Sequence, residues 1–206
     1  MEEILNLNPK QEQLGKIYDM MILGLPYETF NYPIFKVEED ILKWNLVRGN
    51  TDFDAIASAE LYEEEMIEYD LAKEQFEIAL TCVDKKPALL EMVDAECDKF
   101  VVMTGILAKS GRKEIVAPLM LDLATMYEDY KGIPKRLKEL GFNFVKCMEQ
   151  CLMEINSREQ DVEQKARWEA GDKVEGEKWE KHKGQNPDTL YKADYEKCRL
   201  DNCGCK

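Results

Sequence analysis

Apolar residues recur three and four positions apart from Phe53 to Val83, running through Ala57, Leu61, Ala72, Phe76 and Ala79. That spacing predicts one long helix with an inward stripe. Its middle is acidic: Glu65 and Glu68 occupy the stripe, with Glu64 beside them. A second stripe follows through Pro87, Glu91, Asp94, Asp98, Val101, Gly105 and Ala108, acidic first and apolar afterwards. Its neighbouring faces carry Leu90, Val93, Cys97, Phe100, Val102 and Leu107, so this helix is expected to be buried around most of its circumference. Burying an unpaired carboxylate is costly. Two acidic clusters on inward faces therefore call for a cation.

The remaining pattern is also helical. A first helix is expected over Pro9–Leu23, ended by Gly24-Leu25-Pro26, followed by an irregular aromatic stretch from Tyr27 to Phe35. A short helix over Val37–Val47 stops at Arg48-Gly49-Asn50. The first acidic helix then starts with Thr51 or Asp52 as its cap and runs to Thr81. Asp84-Lys85-Lys86-Pro87 reads as a turn, with Pro87 opening the second acidic helix, which reaches Lys109 before Ser110-Gly111. Lys113–Tyr130 is helical around Pro118, Gly132-Ile133-Pro134 breaks it, and Lys135–Leu140 forms a helical turn. Gly141 begins a last segment reaching Ile155. The fold class is all-α. Residues 1–156 form one domain. Residues 157–206 form a polar extension whose apolar content is mostly single aromatics, expected to wrap the core, close over a site as a lid, or stay partly disordered.

Composition narrows the function classes. The 206 residues are 45% hydrophobic and 34% charged, with net charge −14. Such a surface suits neither a nucleic-acid polymer nor an anionic membrane. A nucleotide stays admissible, because divalent cations bridge phosphates to carboxylates. No run approaches the roughly 20 apolar residues of a membrane span. The opening MEEILNLNPK lacks the basic and apolar regions of a signal peptide, so a cytoplasmic location with reduced thiols is expected, in a cell or a phage host. Cys198, Cys203 and Cys205 are expected to be free thiols, since a structural zinc would need a fourth ligand. The single His182 lies far from the acids, which removes His-based metal sites and triads. Oxygen ligands without His or Cys select Mg2+, with Mn2+ as substitute, over zinc.

The spelling Glu64-Glu65-x-x-Glu68, then Glu91-x-x-Asp94 with Asp98 four residues on, resembles the all-α nucleoside triphosphate pyrophosphohydrolases of the MazG-like superfamily, including its phage-type members. The resemblance covers about residues 37–110. It implies a four-helix core, often dimeric, that binds Mg2+ and releases pyrophosphate from a nucleoside or deoxynucleoside triphosphate. By motif position Glu65, Glu68, Glu91 and Asp94 would be metal ligands. Glu64 or Asp98 would join them or orient the attacking water. Trp44 and Asn45 would lie near the base, and Asn156 and Lys165 near the phosphates.

Geometry adds one constraint. A tight hairpin at residues 84–87 would set Glu68 opposite about residue 100, roughly 8–10 Å past Asp94. Either the first helix ends early and the connection is long, or Asp98 does more than Glu91. The apolar circumference of the second acidic helix predicts a homodimer or higher homo-oligomer. The alternatives to a triphosphate pyrophosphohydrolase are a non-enzymatic helical adaptor, and an enzyme for another phosphoanhydride such as phosphoribosyl-ATP or an alarmone.

Overall fold

The computed structural model describes residues 32–50, 53–110, 120–174, 177 and 179–200. The expected helix over Pro9–Leu23, Pro118, and Cys203 and Cys205 lie outside them. Six α-helices appear among the described residues: α1 (Tyr32–Val47), α2 (Ala55–Ile78), α3 (Cys82–Ser110), α4 (Met120–Glu139), α5 (Phe144–Ser157) and α6 (Val162–Glu169). Two short 3-10 turns follow, Pro187–Thr189 and Tyr195–Cys198. No described helix is long and apolar enough to cross a membrane.

α3 is the axis of the molecule. It touches α1, α2, α4, α5 and the Tyr195–Cys198 turn. Val93, Cys97, Phe100, Met103 and Ile106 on it are all but fully buried, so its apolar circumference is consumed within one chain. Phe100 stacks on Tyr130 of α4 and meets the edge of Phe144 of α5. α5 supplies the cleanest stripe: Phe144, Cys147, Met148, Cys151, Leu152 and Ile155 are buried at three- and four-residue steps.

Several boundaries differ from the sequence-based expectation. α1 begins at Tyr32, inside the stretch expected to be irregular, because Pro33 fits a first helical turn where its missing N–H has no intrahelical acceptor. α1 does end at Gly49, whose φ of 61° is open to glycine, and the bonds Gly49 N–H to Leu46 O (3.0 Å) and Asn50 N–H to Asn45 O (2.9 Å) close a Schellman turn. α2 is capped by Asp54, whose carboxylate accepts the Ala57 N–H at 3.0 Å; Thr51 and Asp52 are outside the described residues. α3 starts at Cys82, with Thr81 Oγ1 accepting the Asp84 N–H at 3.2 Å, so the expected turn 84–87 is helical and Pro87 sits in the second turn. α4 runs unbroken through Gly132 and Pro134. Ile133 and Leu137, both fully buried, tie that segment to the core strongly enough to offset one lost helical hydrogen bond.

The polar extension is folded onto this core. Asp161 caps α6 through the Glu163 and Gln164 N–H groups, and Gln160 bridges to Lys181. Gln185 donates to Ser157 O at 2.7 Å and accepts from the Glu159 N–H at 2.8 Å. Tyr195 and Cys198 lie in the same apolar cluster as Phe100 and Phe142.

Candidate active site

The α2–α3 turn spans only residues 79–81, and this sets the register of the acids. With the reversal near residue 80, Glu68 faces about residue 92 and Glu65 faces the turn holding Asp94 and Asp98. The first helix does end early, but the connection is short because α3 begins early as well.

α2 is rotated relative to the stripe read from the sequence. Its inner face carries Ser58, Tyr62, Glu65, Tyr69, Ala72 and Phe76, whereas Leu61 and Glu68 turn outward. Tyr62 drives the rotation: it is fully buried, and its hydroxyl donates to Asp129 Oδ2 at 2.6 Å. Glu64 and Glu68 are exposed on α2 and Glu91 on α3, while Glu65, Asp94 and Asp98 are half-buried.

Two different fates await the inward acids. Glu96, 0% exposed, receives both Arg136 Nε (2.7 Å) and Nη2 (2.9 Å). Lys99 adds contacts to Glu96 at 3.3 Å and Asp129 at 3.5 Å, and Arg136 reaches Asp129 at 2.9 Å. Two carboxylates and two cations balance there. Glu65, Asp94 and Asp98 have no such balance. Glu65 Oε2 is buried without a hydrogen-bond partner. Burial, followed by repulsion from Asp98, Glu68, Asp94 and Glu64, lifts the Glu65 carboxyl to about 8. Burial and then Asp94 lift Asp98 to about 7, against a Cys151 thiol that donates to Asp98 at 3.4 Å and the nearby Arg158. Asp94 is raised by burial too, although the Tyr195 hydroxyl donates to it at 2.6 Å.

These acids face two spaces. Glu65 and Asp98 line a cavity of about 250 Å³ together with Trp44, Asn45, Asn50, Lys109 and Arg158. The Trp44 indole N–H donates to Ile155 O at 3.3 Å, which fixes the ring. Asn45 is buried, donates to Ile41 O at 3.0 Å and accepts from Asn50 at 2.7 Å. Glu91 and Asp94 instead line a second cleft of about 350 Å³ with Glu154, Lys192 and Tyr195. Lys165 stands in a third cleft with Arg48 and Trp168, and Asn156 is exposed.

The structure thus brings Trp44, Asn45, Glu65 and Asp98 around one cavity, with Asp94 one helical turn away, and leaves Glu64, Glu68, Glu91, Asn156 and Lys165 outside it. Among the described residues no three His, Cys, Asp or Glu side chains stand close enough to hold a metal ion together. The unpartnered Glu65 oxygen and the surplus of carboxylates nonetheless have the chemistry of a hard-cation site. The run Glu154–Arg158 reads in the sequence as a segment that could reach phosphate oxygens, whereas Tyr195 carries no such signal. Arg158 belongs to a short run at the end of α5 and Tyr195 is a lone tail aromatic, so neither carries a periodic signal.

Comparison of the chain with protein-family models, with curated proteins and with solved structures finds no match.

Proposed function

We propose that this protein is a Mg2+-dependent nucleotide pyrophosphohydrolase of the MazG-like type, cleaving a nucleoside triphosphate to its monophosphate and pyrophosphate. The observation that carries this reading is one cavity that gathers two inward carboxylates, Glu65 with an unpartnered oxygen and Asp98, two cations, Lys109 and Arg158, and an aromatic ring and an amide held in fixed orientation, Trp44 and Asn45. A divalent cation bound at the acids would neutralise phosphate charge and lower the pKa of a bound water. Glu65 would be its foremost ligand, with Asp94, and with Glu68 and Glu91 after side-chain rotation. Asp98, lifted to about 7 by burial and Asp94, is tuned to take a proton from an attacking water near neutral pH. Trp44 offers a flat face to a base, and Asn45 borders it with a preoriented amide. Arg158, which faces Asp94 and Asp98, would stabilise negative charge gathering on the phosphate.

The test is a panel of ribo- and deoxyribonucleoside triphosphates, with phosphoribosyl-ATP and a guanosine tetraphosphate, read by pyrophosphate release in Mg2+ or Mn2+ and in chelator. Metal-dependent release from at least one nucleotide is expected. No release from any of them would sink the reading.

One observation favours the adaptor alternative. The outer face of α2 exposes Ile56, Ile67, Leu71 and Ile78, continuing to Leu80 and Val83. Under the enzyme reading this face joins two copies as a homodimer. Under the adaptor reading it docks another protein, and light scattering on the isolated chain separates the two.

A further inference from the structure

The extension builds a second feature that stands apart from the acids. Between the end of α1 and α6 lies a cleft of about 680 Å³ lined by Arg48, Arg158, Lys165, Lys173, Trp168 and Trp179, among others. A chain of net charge −14 has gathered four cations here. The volume falls in the range of small-molecule sites, roughly 300–1,000 Å³.

Arg48 is the centre of it. Its guanidinium lies 4.7 Å from the Trp44 ring centroid and 5.4 Å from that of Trp179. The two rings meet edge-on at 6.3 Å. Desolvation weakens the proton affinity of Arg48, whose guanidinium lies against aromatic rings. A half-buried guanidinium held on aromatic faces keeps its N–H donors in a fixed fork, and a phosphate oxygen is the acceptor that fork matches best.

The other walls are also preset. Lys173 Nζ sits 4.0 Å over the Trp168 ring and donates to Gly49 O at 3.2 Å. Gly49 suits that turn through its φ of 61°, while the Lys173 ammonium, 2.9 Å from where a Cβ would stand, is the free end of a flexible side chain that could move aside. The Trp168 indole N–H donates to Glu177 Oε2 at 2.8 Å, and Glu177 is held by Arg167 and the Val174 N–H. Lys165 remains exposed with its ammonium at the mouth. Glu159 lines the cleft beside the four cations, and Glu163, Glu169 and Glu180 are exposed on the same segment. They limit the positive field to the cleft, which suits a short polyanion and repels a long one.

We propose that this cleft is a binding subsite for a short phosphate chain, with Arg48 as its anchor, Lys165 and Lys173 as auxiliary cations, and Arg158, paired with Glu154 at 3.2 Å, at its border. Arg158 also lines the cavity of Glu65 and Asp98, so the two spaces share a wall. The subsite does not depend on hydrolysis and does not need a metal.

Of the three tryptophans of the chain, Trp168 and Trp179 line this cleft and Trp44 touches its anchor Arg48 from the neighbouring cavity, so intrinsic fluorescence reports on the cleft and the Arg48 and Lys165 variants assign the response to it. The experiment is a titration of the full chain with inorganic tripolyphosphate in chelator at low salt. A saturable change is expected, weakening as salt screens the cations. Arg48→Gln should bind at least about tenfold more weakly, the effect of losing one charged hydrogen-bond partner. Lys165→Gln, at an exposed position that does not threaten folding, should bind about threefold more weakly, and Lys135→Gln on α4 should match the parent. No saturable response in the parent would overturn the proposal, as would parent-like binding by both Arg48→Gln and Lys165→Gln. A single-stranded oligonucleotide binding more tightly than tripolyphosphate would overturn it in favour of a nucleic-acid surface. Because chelator is present and turnover is not read, failure here is distinct from failure of the pyrophosphohydrolase reading.

Discussion

Replacing Asp98 by Asn should stabilise the metal-free protein at neutral pH and destabilise it in acid. Burial and the neighbouring Asp94 lift the Asp98 carboxyl from its ordinary 3.8 to about 7. The folded protein therefore holds this proton more tightly than the unfolded chain. Stability from that source is complete below about pH 4 and is lost as pH rises through about 7. The loss corresponds to something on the order of 4 kcal/mol. Asn never acquires the charge and its amide oxygen can still accept the Cys151 thiol, but its two N–H donors replace the second carboxylate oxygen among buried neighbours, at a cost of about 2 kcal/mol. The balance is roughly +2 kcal/mol for the variant near pH 7.5 and roughly −2 kcal/mol near pH 4. For a chain of this size that is a melting temperature about 4–8 °C higher at neutral pH, inverting in acid. Thermal melts followed by circular dichroism in chelator across this pH range read both the sign and the crossing point. A variant that is no more stable than the parent at neutral pH, relative to acid, would refute the claim that Asp98 is an uncompensated buried charge.

Three further outcomes follow from the same geometry. Mg2+ or Mn2+ should stabilise the parent above pH 8 by up to about 3 kcal/mol at a hundredfold excess over Kd, seen as a higher melting temperature, and do so less at pH 5, where both Glu65 and Asp98 hold protons; Asp94→Asn and Asp98→Asn should lose most of this gain. Glu96→Gln leaves Lys99 and Arg136 facing a neutral amide in a dry setting, and urea melts should show a loss of about 3–5 kcal/mol, with no dependence on divalent cations. Tyr195→Phe removes the hydroxyl that donates to Asp94 and should cost about 1–3 kcal/mol at neutral pH in urea melts; an unchanged midpoint would show that the extension does not brace the acids.

The parts of this fold that periodicity could reach are those whose signal is local. α5 repeats an unbroken apolar stripe, and Gly49 marks the end of α1 because its left-handed backbone has few other occupants. Where a distant contact decides, periodicity misleads. Gly132 and Pro134 read as a break, yet α4 continues through them because Ile133 and Leu137 are anchored in the core. The inward face of α2 was misread by part of a turn because Leu61 looked more apolar than Tyr62, although only Tyr62 has both a buried site and an acceptor in Asp129.

The acids make the same point for function. Glu91, Asp94, Glu96 and Asp98 lie within two turns of one helix and look alike as letters. Glu96 is neutralised by Lys99 and by Arg136, the latter on another helix, whereas Glu91 escapes to solvent. Only Asp94, Asp98 and the facing Glu65 remain inward without enough positive charge, and that residue of unbalanced charge is a property of the packed structure. Helical spacing identifies which carboxylates turn inward. What separates a structural ion pair from a site waiting for a cation is whether the fold seats a counter-charge on the carboxylate; Glu65 Oε2 has no hydrogen-bond partner, and after burial the groups that weigh most on Glu65 are other carboxylates.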